Sequence, residues 1–182
     1  MPDPDSDVAH LALALARQAV ERYVRTGLLA DLPAEPPSAF REASGAFVTL
    51  RLRGELRGCI GTLGPTRSDL AREIVASAVA AAVRDPRFPP VTAVELPALV
   101  YEVNVVGSVE AIETPGDLDP KTYGVVVEAQ GRRGVLLPDL EGVDTVVQQV
   151  AIARRKAGLP DEAPITLYRF QVRRYVEAVS AG

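Results

Sequence analysis

The chain has 182 residues, 47% of them hydrophobic and 24% charged, with a formal net charge of −4. That composition excludes a disordered chain and suits one domain with a sizeable core. The longest nearly apolar run, Ile74 to Val83, is about half of the ~20 residues a membrane-spanning helix needs.

The acidic balance disfavours nucleic acid as a partner, because non-specific binding rests on basic surface. The start, Met1-Pro2-Asp3-Pro4-Asp5, is acidic and has no basic leader, which predicts a cytoplasmic protein. Cys59 is the one cysteine and His10 the one histidine. They leave no intrachain disulfide and no multi-cysteine metal site, and the expectation is no metal and no cofactor.

Residues 7–26 read as an amphipathic helix: Val8, Leu11, Ala12, Leu15, Ala19, Val20 and Tyr23 recur at three- and four-residue steps. Ser6 or Asp7 can cap its start, and Gly27 suits the position after its end. Residues 31–39 hold three prolines and no periodicity, and read as a loop. Ala46 to Arg53 alternates strictly, as a half-buried strand does, and Leu56 to Leu63 is its hairpin partner. A helix over 67–84 follows, with Thr66 and Asp69 at capping-box spacing and Asp85-Pro86 as its stop. Leu99 to Val106 is a strand, Tyr123 to Ala129 and Gly134 to Leu137 a second hairpin around Gln130-Gly131, Val143 to Ala157 a helix closed by Gly158, and Ile165 to Val179 an extended segment. No internal repeat is visible. Adjacent hairpins argue for antiparallel pairing. The predicted class is α+β: a single, two-lobed domain over 1–182 (core 6–179), with a mainly antiparallel sheet flanked by helices and a smaller lobe within about 85–140.

Leu56-Arg57-Gly58-Cys59-Ile60-Gly61 is the densest cluster of unusual residues. Matching the core faces of the two arms pairs Leu52 with Leu56, Leu50 with Gly58 and Val48 with Ile60, across a three-residue loop Arg53-Gly54-Glu55. Arg51 then faces Arg57, and Thr49 faces Cys59. Like charges directly opposite call for a nearby anion, either a protein carboxylate such as Glu55 or a bound one, or for screening by solvent. Gly58 and Gly61 leave room beside Cys59 for another backbone or a ligand. Cys59 reads either as a thiol activated by arginines or as a small buried strand residue. His10, beside Ala9 and Leu11, reads as an ordinary helix residue. In Asp85-Pro86-Arg87-Phe88-Pro89-Pro90, Arg87 either reaches an anion near the hairpin or pairs with Asp85. Glu102 and Asn104 share one strand face and either line a cleft with Cys59 or form a solvated face. Arg132-Arg133 and Arg154-Arg155-Lys156 read as solvated basic runs.

Leu56 to Gly61 resembles the LRGCIG hexapeptide of the AMMECR domain, and Asp85 to Pro90 resembles that family's second landmark. Tyr123 to Val127, Arg132 to Asp144 and Ile152 to Gly158 are similar to its bacterial branch, AmmeMemoRadiSam system protein A. The resemblance covers residues 7 to 179. It implies a two-lobed α+β fold and association with a Memo-type protein and a radical-SAM protein; it does not imply an established reaction. Tyr123 stands where many family members have histidine, so no role of that histidine carries over.

Two functions follow as expectations. In the first, the chain belongs to a modification pathway and binds an anionic substrate or protein segment in a cleft around Cys59, with Arg57, Gly58, Gly61, Arg87, Arg51, Glu102 and Asn104 as binding residues. In the second it is a non-catalytic scaffold or substrate-presenting module. Nucleic-acid regulation ranks last. Whether the chain is itself an enzyme is left open by the sequence.

Overall fold

The first helix begins where a proline can start one and ends where a glycine can stop one. A computed structural model describes residues 4–32 and 34–178; the predicted ends at Val179 and Pro33 of the first loop lie outside them. Helix α1 runs Pro4–Thr26, with proline in its first turn, where no N–H is needed. Its small apolar stripe, Ala12, Ala16, Ala19 and Val20, is fully buried. Gly27, at φ +73°, donates its N–H to the Tyr23 carbonyl and closes the helix. His10 is exposed on it.

Strands β1, Ala46–Leu52, and β2, Glu55–Gly61, form the predicted antiparallel hairpin. Val48 pairs with Ile60, Thr49 with Cys59 and Leu50 with Gly58, as the core faces require. The loop differs from the three residues expected. Arg53 and Gly54, both with positive φ, make a two-residue turn whose twist suits a hairpin. The register then shifts, so Arg51 pairs with Leu56 and Arg57 is the extra residue of a bulge. The bulge restores the core face, and Arg51 and Arg57 are not opposed.

Helix α2 runs Leu70–Val83, and its N-cap is Asp69, which accepts the Arg72 N–H. The expected Thr66–Asp69 box does not form, because Thr66 donates to Glu73 instead. Beyond it lie β3, Leu99–Ile112, longer than expected; β4, Gly124–Ala129; β5, Arg132–Leu136; α3, Val146–Lys156; and β6, Thr166–Val176. Helix α3 starts three residues later than the apolar spacing suggests, since Thr145 and Gln148 form its capping box.

The chain forms two compact units. The first comprises residues up to Val105 and those from Arg174; the second is Val106–Arg173, later in the chain than the smaller lobe expected within 85–140. In the first, the order is β2, β1, β3 and then the end of β6, with α1 and α2 packed over Val48, Leu50 and Tyr101. In the second, β4 lies between β5 and β6, with α3 on a core of Val125, Val127, Leu136 and Ala153. The pairings of β1 with β2 and β3, and of β4 with β5 and β6, are antiparallel.

Each unit is built on the same succession, hairpin, helix, strand, so the chain repeats a ββαβ motif that its residues do not display. Both hairpins turn through two positive-φ residues, Arg53-Gly54 and Gln130-Gly131. In both, a glycine admits a helix backbone: a Cβ on Gly58 would lie 2.1 Å from the Ala81 carbonyl oxygen, and one on Gly134 1.9 Å from that of Ala153. What repeats is backbone geometry, which a comparison of side chains does not register.

Candidate functional site

β2 is the edge strand of the first unit, and the two motifs singled out in the sequence meet along it. The Cys59 N–H donates to Asp85 Oδ2 at 2.9 Å. Arg57 donates from Nε to Glu95 Oε1 at 2.7 Å, from Nη2 to Glu95 Oε2 at 3.2 Å and from Nη1 to the Pro89 carbonyl at 2.9 Å. The segment from Asp85 to Glu95 is therefore laced to β2 by side chains. The carboxylate that pairs with Arg57 is Glu95, not Glu55.

Asp85 is buried, with 2% of its side chain exposed, and accepts three further bonds from Arg87: backbone N–H at 3.1 Å, Nε at 3.0 Å and Nη2 at 2.7 Å. The Arg87 hydrogen bonds hold its carboxyl far below the usual carboxylate range, against burial and with help from the Cys59 N–H. Arg87 in turn has its pKa raised, first by the Asp85 hydrogen bond, against burial and with help from the Asp85 charge. Its side chain is 55% exposed, so it presents a fixed cation to solvent beside the thiol.

Across the sheet Cys59, Thr49 and Glu102 are successive partners on β2, β1 and β3. The Thr49 hydroxyl donates to Cys59 Sγ at 3.2 Å. Asn104, two residues along, donates to Glu102 Oε1 at 2.8 Å, and Arg174 reaches Asn104 Oδ1 at 3.1 Å and Glu102 Oε1 at 3.3 Å. Thr49 and Asn104 are buried, while Cys59 and Glu102 are half-buried. By strand alternation this row lies on the sheet face away from α2. Among the described residues, no three His, Cys, Asp or Glu side chains are grouped to hold a metal.

The predicted residues thus separate. Cys59 and Arg87 meet through Asp85, while Glu102 and Asn104 form a second cluster with Arg174, next to Thr49 in strand register. Arg57 is committed to Glu95. Gly58 is filled by α2, and a Cβ on Gly61 would lie 2.3 Å from the Ala46 carbonyl oxygen, so both open space for the protein's own backbone. Arg51 is exposed and donates to the Gly54 carbonyl at 3.5 Å. In the second unit, the Tyr123 ring lies 4.5 Å under the Arg169 guanidinium and its carbonyl accepts from Gln149 Nε2 at 2.7 Å. Of the basic runs, Arg132, Arg154 and Lys156 bond backbone carbonyls and Arg133 pairs with Glu128. Sequence reasoning missed Glu95 and Arg174: Glu95 sits in an aperiodic stretch, and Arg174 is one of three arginines on β6, directly after Arg173.

Glu95 predicts an acid dependence. Hydrogen bonding from Arg57, opposed by burial, lowers its pKa to about 2. A depressed carboxylate stabilises the fold above its unfolded pKa of ~4.3 and loses that contribution as pH falls toward the folded value. Denaturant midpoints between pH 5 and pH 2 are expected to fall less steeply in Glu95→Gln than in the parent chain; equal slopes would sink the assignment.

A family model described as AMMECR1 matches residues 13–175. A Thermotoga maritima protein is 48% identical over 170 residues, covering 91% of this chain and 97% of that one. A Clostridium acetobutylicum protein is 39% identical over 166 residues, 90% of this chain but 35% of its own length. The crystal structure of an uncharacterised Pyrococcus horikoshii protein superposes with a TM-score of 0.83 at 35% identity, covering 90% of this chain and 88% of that one. Among the described residues no helix is long and apolar enough to cross a membrane.

Proposed function

Given that the chain belongs to the AMMECR1 family, we propose that it is the thiol-bearing component of a modification pathway. In this reading it acts with Memo-type and radical-SAM partners and takes an anionic substrate or acidic protein segment at Cys59. The observation that carries the reading is Asp85, which binds the Cys59 backbone and the Arg87 guanidinium together. A cation held at a fixed place beside a thiol favours the thiolate and attracts an anion. Thr49 adds a hydroxyl donor to the sulfur. The radical step belongs to the partner, because an iron–sulfur cluster is held by several cysteines and this chain has one.

Alkylation tests it. With one thiol, iodoacetate and its neutral analogue iodoacetamide report on the same atom. Native Cys59 is expected to react with both, and Arg87→Ala to lower the iodoacetate-to-iodoacetamide rate ratio about five-fold, or ~1 kcal/mol. A thiol that reacts only after unfolding, or an unchanged ratio, overturns the proposal. The scaffold reading gains support from one fact: Arg57, Gly58 and Gly61 all serve the fold. It expects Cys59→Ser to leave partner affinity unchanged, whereas the thiol reading expects that variant to abolish turnover.

A further inference from the structure

The other face of the same unit carries a groove of about 560 Å³ that the Cys59 arrangement does not use. It runs beside α2, between the Leu29–Leu32 segment and the end of β2. Ile60, which lines it, alternates with Cys59 and so lies on the helix side of the sheet. The volume is that of a small-molecule cleft. Its lining is mixed: Leu29, Leu32, Ile60, Val75 and Val79 form an aliphatic part, with Ala76 and Ala80 one helical turn apart, beside hydroxyl and charged side chains. No aromatic ring lines it, so nothing there would stack on a base or a planar cofactor. From Arg72 to Arg84, both lining residues, the helix rises ~18 Å, so the groove follows about three turns of α2.

Its charges are unequal in their partners. Asp31 pairs with Arg22 at 2.8 Å, and Arg72 pairs with Asp69. Glu73, buried at the groove wall, accepts from the Thr62 and Thr66 hydroxyls and from the Thr66 and Arg67 N–H groups. Burial would raise its pKa, but those bonds prevail and lower it, so it is an ionised carboxylate already satisfied. Arg67 and Arg84 are different. Both line the groove and are exposed, and their guanidinium groups make no hydrogen bond or ion pair among the described residues.

We infer that this groove binds a small anionic amphiphile, an unbranched aliphatic chain ending in a carboxylate, with its chain against α2 and its head group on Arg67 or Arg84. Apolar area removed from water supplies the attraction, and the unpaired arginines supply the preference for an anion.

Calorimetric titration of the full chain with monomeric dodecanoate, and with dodecanol as the neutral control, tests this. Dodecanoate is expected to bind at one site and more tightly than dodecanol. The double variant Arg67→Ala/Arg84→Ala, which changes only exposed side chains, is expected to weaken dodecanoate about tenfold and leave dodecanol unchanged. Ala80→Trp, which fills the groove, is expected to abolish both, while circular dichroism and the Cys59 alkylation rate stay at parent values. Equal weakening of both ligands by the arginine variant, undiminished binding in Ala80→Trp, or sedimentation with phosphatidylglycerol vesicles without binding of monomeric dodecanoate would each overturn the inference. Because the readout involves neither the thiol nor a partner, it stands or falls apart from the function proposed above.

Discussion

Gly58→Ala is expected to destabilise the chain by about 3 kcal/mol or more, a large effect for a single methyl group. The added Cβ would lie 2.1 Å from the Ala81 carbonyl oxygen, a backbone atom with no rotamer to move aside. Overpacking a core typically costs about 1–3 kcal/mol, and the upper end applies where a helix and a strand must separate to relieve it. Urea denaturation of Gly58→Ala against Gly64→Ala measures it. Gly64 lies in open space, and its φ is not positive, so its substitution should stay within about 0.5 kcal/mol. Equal midpoints for the two variants would mean that α2 does not rest on β2 at this point. The hexapeptide's first glycine would then need another explanation.

Asp85→Ala is the second. It leaves the Cys59 N–H and the Arg87 groups without their acceptor. Orphaning such groups costs about 1–3 kcal/mol each when they are buried. The Arg87 side chain is 55% exposed and can turn to water, so a net loss of about 2–3 kcal/mol is expected rather than the ~3–5 of a fully enclosed pair. The pH dependence has a definite sign. Arg87 depresses the Asp85 pKa, so its contribution is complete above the unfolded value of ~3.9 and declines as pH falls below it. The gap between parent and variant should therefore narrow from pH 7 to pH 3. A gap that widened in acid would assign the effect to something other than this carboxylate. Freed from Asp85, Arg87 is no longer held beside the thiol, so the iodoacetate-to-iodoacetamide ratio at Cys59 should fall in Asp85→Ala as it does in Arg87→Ala.

Local pattern made most of the elements legible. Strict alternation located β1, and matching apolar faces located three cross-strand pairs of the hairpin, Thr49 with Cys59 among them. The turn was misjudged because counting faces assumes an unbroken pleat. A bulge at Arg57 satisfies the same face with a shorter loop. The α2 start was misjudged because two threonines and two acids offer more than one cap. The carboxylate of Glu73 draws Thr66 away, and burial of that carboxylate is a tertiary fact. The site was legible in its residue types but not in its connections. Asp85, Arg87, Cys59 and Arg57 stood out as unusual, yet the bond from Asp85 to the Cys59 backbone spans 26 residues, and that from Arg57 to Glu95 spans 38. No local period encodes either. The ββαβ repetition was hidden for the opposite reason, since it resides in dihedrals and close approaches shared by dissimilar residues.

The lacing of β2 also bears on how the chain behaves among its own copies. An edge strand is a template: its outward N–H and C=O groups can recruit a strand from another molecule and begin a fibril. Here one such group, the Cys59 N–H, is already occupied by a carboxylate, and the flanking Arg57 is tied to a proline-rich stretch that cannot itself supply a full ladder of donors. Asp85 to Glu95 thus acts as a gatekeeper against templated self-assembly, built from side chains where another fold would add a further strand.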